Sequence, residues 1–332
     1  VAARWTLLAL PPLDHGVLEH LFADIPVELV SPKERSAAGA VAAAGEAEIV
    51  VGDWTGACAV TAEVVAAAPR LAFVQQPSVG VDTVDVAACT RAGVPLANAG
   101  DTNAVSVAEW CVGATFAVLR SLAFGDHEVR AGRWPQLELA RRGGGELSGR
   151  RVGIIGMGAI GRECALRYAA LGCDVAYWSR TRREPRRSGG ARWCEFDELL
   201  RRSEILVVVV ALAPETRGLI GAEELAMLPP GGYLVDAARG GIVDEGALLA
   251  AIRSGAIAGA ALDVFETEPL PEGSPLRGED RILLSPHSGG ATREAQGRLI
   301  AAVVDNVRRA VSGEPVNYVV NGLDPVIRRR EA

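Results

Sequence analysis

Gly156-Met157-Gly158-Ala159-Ile160-Gly161 is a G-x-G-x-x-G run, a spacing whose chemistry is the cradling of a pyrophosphate. The pattern alone is weak. Here it directly follows the apolar run Val152–Ile155 and opens a helical stretch beginning near Ala159. In that setting Gly156 allows a tight turn, Gly158 lets the backbone approach the phosphates, and Gly161 lets helix and strand pack closely. The helix N-terminus adds free N–H groups and the positive end of its dipole. The spacing therefore predicts a bound dinucleotide. The next apolar run ends in Tyr177-Trp178-Ser179-Arg180-Thr181-Arg182, where an NAD binder usually places an acid for the ribose 2′-hydroxyl. No acid stands there. Ser179, Arg180 and Thr181 offer donors that suit a 2′-phosphate, which an Asp would have repelled. NADP(H) is the expected cofactor and NAD(H) the alternative.

Three patches downstream carry polar residues at the ends of apolar runs, where open α/β sheets bind ligands. They are Asp236-Ala237-Ala238-Arg239-Gly240-Gly241, Leu262-Asp263-Val264-Phe265-Glu266-Thr267-Glu268-Pro269 and Ser285-Pro286-His287-Ser288-Gly289-Gly290. His287 lies in the third, whereas His15, His20 and His127 fall outside the series that carries the glycine loop.

Positioning these groups takes two α/β series. In the first, Val1–Leu10, Val27–Val30, Glu48–Val51 and Leu71–Gln75 read as strands, with helices at Ser36–Ala44 and Thr61–Ala68. Thr102–Arg120 and Leu122–Gly132 read as helices, and Arg133–Arg150 as a looser stretch. The second series has six strands, at Val152–Ile155, Asp174–Trp178, Ile205–Val210, Tyr233–Asp236, Gly259–Asp263 and Ile282–Ser285. Its helices are Ala159–Ala170, Phe196–Arg202, Glu223–Met227 and Glu245–Ser254; a last helix, Arg293–Val311, is free to pack on either series. Strands alternating with crossover helices predict two doubly wound parallel sheets, Rossmann-like and flavodoxin-like, with a cleft between two domains.

Composition agrees with a folded chain of 332 residues, 49% hydrophobic and 23% charged. A net charge of −7 gives no basic footprint for nucleic acid. No apolar run reaches the roughly 18–20 residues that span a bilayer, and the start lacks the layout of a signal peptide; a cytoplasmic location is expected. The cysteines Cys58, Cys89, Cys111, Cys164, Cys173 and Cys194 are scattered without a C-x-x-C pair, which predicts small buried residues and no metal site.

The glycine loop and the three patches, in this order, resemble the D-isomer-specific 2-hydroxyacid dehydrogenase family. The likeness runs over nearly the whole chain, from Ser78-Val79-Gly80-Val81-Asp82 to Gly313-Glu314-Pro315-Val316-Asn317. In motif it is nearest to NADP-type glyoxylate and hydroxypyruvate reductases. The resemblance implies a catalytic set of Arg239, Glu268 and His287. The chemistry suits it: Arg239 can clamp a carboxylate and carbonyl with its planar fork, an imidazole titrates near neutrality and can act as general acid, and Glu268 would favour the imidazolium and fix its ring. The nicotinamide supplies the hydride. By the same resemblance Ser78, Val79 and Gly80 meet the substrate carboxylate, Val79 and Gly80 through backbone N–H groups. Asp263 holds the nicotinamide carboxamide, and Pro214, Thr216, Ala237 and Gly289, with Arg239 and His287, join the cofactor contacts. The implied domains are 1–100 with 289–332 for substrate and 101–288 for NAD(P), in a homodimer formed through residues 102–150.

The sequence departs from the family's pattern at several points. Val208–Ala213 replaces a His-x-Pro-Leu stretch before Pro214-Glu215-Thr216, which makes the adenine side more apolar. Asp236 stands where Asn is usual, and Ser288 where an aliphatic residue is usual. Relatives that oxidise phosphite carry a lysine at the place of Val79, and formate-oxidising ones lack the counterpart of Glu268. The expected activity is NADPH-dependent reduction of a small 2-oxo acid. Trp134, Arg141 and Arg142 could reach a neighbouring subunit's site, which would suit a larger acid bearing a phosphonate or phosphate. A dinucleotide-sensing, corepressor-like binding protein is the alternative of another class, disfavoured by the absence of a long extra tail or basic segment.

Overall fold

The computed structural model describes residues 4–330. Val1, Ala2 and Ala3 of the expected first strand, and Glu331 and Ala332 of the expected 289–332 segment, lie outside the described residues. Contacts divide the chain into two units, one running through Asn103 and resuming at Arg293, the other Ala104–Thr292. The divisions fall where two long helices begin, α5 (Ala104–Leu119) and α12 (Arg293–Ser312), a few residues beyond the expected breaks after 100 and 288.

The first unit is a five-stranded parallel sheet ordered β2-β1-β3-β4-β5. Its strands are β1 (Trp5–Ala9), β2 (Val27–Val30), β3 (Ile49–Val51), β4 (Phe73–Gln75) and the two-residue β5 (Leu96–Ala97). Both faces are covered, which is why its central strands read as unbroken apolar runs. Leu8, Val50 and Val74 meet Ala40, Val64 and Cys89 on one face. On the other, Leu7, Ile49 and Phe73 pack with Val303, Val307 and Ala310 of α12, which settles where the last helix belongs. Helices α2 (Ala37–Ala43) and α3 (Ala62–Ala67) begin one residue later than the sequence suggests. Ser36 and Thr61 are their caps, with side chains accepting from Gly39 N and Val64 N.

The second unit is a parallel sheet ordered β12-β11-β10-β9-β6-β7-β8. Its strands are β6 (Arg151–Ile155), β7 (Asp174–Trp178), β8 (Arg192–Trp193), β9 (Ile205–Val208), β10 (Gly232–Asp236), β11 (Ile257–Leu262) and β12 (Ile282–Leu284). Seven strands replace the expected six. The extra one is β8, two residues on the edge paired to Ala176 and Tyr177, too short to leave a pattern of its own. Alternate residues face opposite layers. Ile155, Leu206, Leu234 and Leu262 pack with Leu199, Leu225 and Leu248 from three helices. Ile154, Val207, Val235 and Ala261 pack with Cys111 of α5 and Cys164 and Tyr168 of α8 (Ala159–Ala170). Tyr168 buries its hydroxyl here, 2.6 Å from Thr115 Oγ1.

One expectation needs correction. The stretch Arg133–Arg150 contains a helix, α7 (Gln136–Arg142). It buries no residue, so it has no apolar periodicity to read. Charge holds it instead: Arg142 pairs with Glu138 at 2.9 Å and Asp280 at 2.8 Å, its guanidinium 3.6 Å from the Phe124 ring centroid. All six cysteines are free, five buried and Cys173 half-buried. No single described helix is long and apolar enough to cross a membrane; α5 and α6 (Leu122–Arg130) reach that length only as a pair bent by 64°.

The first unit also encloses a charged cluster. Glu48, with no exposed side-chain surface, accepts from Arg329 at 2.5 and 2.8 Å, Arg70 at 2.9 Å and Thr6 N at 2.9 Å. Burial alone would raise its pKa, but the bonds from Arg329, Thr6 and Arg70 overcome this and lower it. A depressed folded pKa stabilises the fold above the unfolded value of about 4.3, and that stability is lost as pH falls through the folded value. Glu48→Ala should cost about 3 kcal/mol in urea unfolding at neutral pH, because it removes the buried acceptor shared by Arg329, Arg70 and Thr6 N. It should also flatten the parent's loss of stability on acidification below about pH 4.

Candidate functional site

The phosphate loop leaves the end of β6. Gly156 has φ of +99°, which favours glycine, and a Cβ there would meet Val209 O at 2.9 Å. A Cβ on Gly161 would sit 2.1 Å from Gly156 O, so helix and turn touch backbone to backbone. One on Gly158 would meet nothing within 4 Å. The open side of the loop is therefore at its middle glycine, at the start of α8, which no side chain caps. Met157 is buried beneath, and Ala159 and Ile160 begin the helix. These residues fit a pyrophosphate: backbone donors, a clear approach, and no side chain in the way.

Beyond β7, Ser179 Oγ donates to Thr181 O at 2.7 Å, while Arg180 and Thr181 are exposed. Tyr177 closes the loop, its hydroxyl accepting from Arg183 N at 2.8 Å and donating to Arg183 O at 3.1 Å. Beyond the three residues expected to meet the 2′-phosphate, Arg182, Arg183, Glu184 and Arg187 line a cavity of about 280 Å³. The signal was present in the run of five arginines between 180 and 187. On the other side, Thr216 Oγ1 donates to Ala211 O and accepts from Ala213 N, both at 2.8 Å. The buried hydroxyl thus folds the turn carrying Pro214.

The ends of β10, β11 and β12 bring the polar patches together. Gly240 lies so close to Phe265 that a Cβ would be 1.8 Å from Phe265 O, which seats the Arg239 turn on the strand-end loop carrying Glu268. Arg239 Nη1 donates to Ala238 O at 2.8 Å. Glu268 is held by Phe265 N at 3.0 Å through Oε1, and its Oε2 lies 2.8 Å from His287 Nδ1. His287 has φ of +51°, an uncommon conformation for a residue with a Cβ. Its N–H donates to Asp263 O at 2.8 Å. The Asp263 carboxylate, 3% exposed, accepts from Ser288 N at 2.8 Å, Gly289 N at 2.7 Å and the Ser285 hydroxyl. Ala237 N meets Val208 O at 3.1 Å. Asp236 accepts from Ala238 N at 2.9 Å, and burial pushes its carboxyl up to about 7, with Asp263 and Glu245 adding to the rise. A cavity of about 390 Å³ is lined by Arg217, Gly240, Gly241, Asp244, Glu266 and Thr267, and by none of Arg239, Glu268 and His287.

In the first unit the turn Ser78–Gly80 has all three carbonyls engaged. Ser78 O accepts from Ala99 N at 2.9 Å, Val79 O from Asn98 Nδ2 at 2.6 Å, and Gly80 O from the Ser78 hydroxyl at 2.6 Å. Among the described residues the Val79 and Gly80 N–H groups bond to none, which leaves two donors for an anion. A buried amide chain stands behind them: Asn306 of α12 donates to Gln75 Oε1 at 2.7 Å, and Gln75 Nε2 to Asn98 O at 3.1 Å. Sequence reasoning missed Gln75, Asn98 and Asn306, whose partners lie far apart in the chain. Trp134 is 79% exposed, and Arg142 is engaged by Glu138 and Asp280. Among the described residues no group of three His, Cys, Asp or Glu side chains gathers to hold a metal.

A family model described as D-isomer specific 2-hydroxyacid dehydrogenase, NAD binding domain, matches residues 112–289. The chain belongs to that family. It is 42% identical over 266 residues to D-3-phosphoglycerate dehydrogenase of Mycobacterium leprae, covering 80% of this chain and 50% of the relative. It is 39% identical over 259 residues to glyoxylate reductase of Aeropyrum pernix, covering 76% and 77%. The crystal structure of a glyoxylate reductase from Paecilomyes thermophila superposes with a TM-score of 0.85 at 28% identity, covering 96% and 97%. The chain spans about half the length of the phosphoglycerate dehydrogenases it matches.

Proposed function

We propose that the protein reduces a small 2-oxo acid to the D-2-hydroxy acid with NADPH, on glyoxylate- or hydroxypyruvate-like substrates. The observation that carries this reading is the 2.8 Å contact of Glu268 with His287, beside an arginine turn packed on the same loop. When bound, the reduced nicotinamide supplies the hydride. His287 donates the proton to the carbonyl oxygen, with Glu268 orienting the ring and stabilising its charged form. Arg239 holds carboxylate and carbonyl through its fork. The Val79 and Gly80 N–H groups take the carboxylate, and Asp263 the nicotinamide carboxamide. Preference for NADP rests on the missing acid after β7 and on Ser179, Arg180 and Thr181. A second reading, oxidation of a phosphorylated 2-hydroxy acid, draws on the relatives named D-3-phosphoglycerate dehydrogenase.

A panel of glyoxylate, hydroxypyruvate, phenylpyruvate and 3-phosphohydroxypyruvate, run with NADPH and with NADH, tests the reading. Turnover of an unphosphorylated acid is expected, with NADPH the better donor. His287→Ala should lose roughly 10²–10⁴-fold in rate, and Arg180→Ala should weaken NADPH roughly ten- to a hundredfold. No turnover of any 2-oxo acid would refute the activity; unchanged NADPH affinity in Arg180→Ala would refute the 2′-phosphate assignment.

We further propose a homodimer joined through residues 102–150. Leu122, Val129, Trp134 and Leu137 are each at least half exposed there, an apolar surface that monomers rarely leave open. Light scattering should give twice the chain mass, and Trp134→Glu with Leu137→Glu should give the single mass. A parent that runs as a monomer at micromolar concentration overturns it.

A further inference from the structure

We propose that Asp236 is a proton-holding residue whose charge makes the preference between reduced and oxidised cofactor depend on pH. The inference rests on the reading of the β10 and β11 ends as the nicotinamide side of the site. Asp236 closes β10 in the middle of the sheet, 2% exposed. Its main-chain O accepts from Asp263 N at 3.0 Å and its Oδ1 from Ala238 N at 2.9 Å. It is therefore tied to the backbone of Asp263, whose carboxylate is assigned to the carboxamide, and to the turn that carries Arg239. The charged or titratable groups around it are Asp263 and Glu245, the Cys111 thiol of α5, Arg239 three residues on, and the Glu268–His287 pair beyond Asp263. Contact with Cys164 and burial push the Cys111 thiol well up, which keeps it neutral.

Burial raises the Asp236 carboxyl to about 7, so it changes charge within the working range of pH. A nicotinamide ring carries a positive charge when oxidised and none when reduced. An ionised Asp236 attracts the oxidised ring and is indifferent to the reduced one. Binding of the oxidised form then drives the Asp236 proton into solvent, and by reciprocity higher pH favours that form. Asn at this position keeps the acceptor for Ala238 N and cannot titrate, so Asp236→Asn removes the charge with little change of shape.

His287 is the proton donor of the proposed reaction and faces the same site, so the test removes it. Dissociation constants of NADPH and NADP⁺ are measured by calorimetry at about pH 6 and about pH 8, for His287→Gln and for His287→Gln/Asp236→Asn. The cofactor's own 2′-phosphate titrates in both redox forms and cancels in their ratio. In His287→Gln the NADP⁺-to-NADPH ratio of dissociation constants should fall about fivefold or more between the two pH values; in the double variant it should stay flat. Equal pH responses in the two proteins overturn the role of Asp236 and leave the dinucleotide reading standing. Failure of both proteins to bind either form overturns that reading and this inference together.

Discussion

The Asp263 carboxylate is the constraint on which the arrangement depends. It lies just beyond β11 and captures two backbone N–H groups and a hydroxyl from the turn after β12, while its own carbonyl takes the His287 N–H. A non-glycine residue in the left-handed region costs about 1–3 kcal/mol. Each hydrogen bond to a buried charge contributes about 1.5–3 kcal/mol, so three of them outweigh the strain. With the backbone fixed, Glu268 needs only one anchor of its own, Phe265 N, to meet the imidazole. The Gly289 position follows from the same geometry, since a Cβ there would lie 2.9 Å from Asp263 Oδ2.

The two neighbouring carboxylates differ in consequence. Asp263 has three donors on its side-chain oxygens, whereas Asp236 has one, Ala238 N. A buried acid so sparsely served is pushed toward its neutral form, and this is the physical difference on which the proposed pH response turns. Behind the Ser78–Gly80 turn of the first unit the organising groups carry no charge. They are neutral amides, passing from Asn306 through Gln75 to Asn98 and on to the Val79 carbonyl. That chain also ties α12 to the sheet on which its apolar face packs.

Much of this was legible in the sequence where one local rule sufficed. The glycine spacing stated its own turn, as the near-contacts at Gly156 and Gly161 show. Asp174–Trp178 and Ala159–Ala170 matched their elements residue for residue because each combines a clear period with a sharp end. The misses share a cause. α7 is held by Arg142 reaching to Asp280, β8 by two residues of an edge ladder, and the amide chain by partners 19 to 231 residues apart. Such contacts leave no periodicity. The His287 conformation was equally hidden, because the pattern Ser285-Pro286-His287 names a residue type and not the φ at which it is held.

The pairing of Glu268 with His287 is tested most directly by the steady-state kinetics of Glu268→Gln with a 2-oxo acid and NADPH. The amide keeps the Phe265 N bond and the shape but cannot balance the charge of an imidazolium. The expected result is a kcat lower by about 10²-fold or more, with KM for NADPH within twofold of the parent. A kcat equal to the parent's would contradict the central role of the pair.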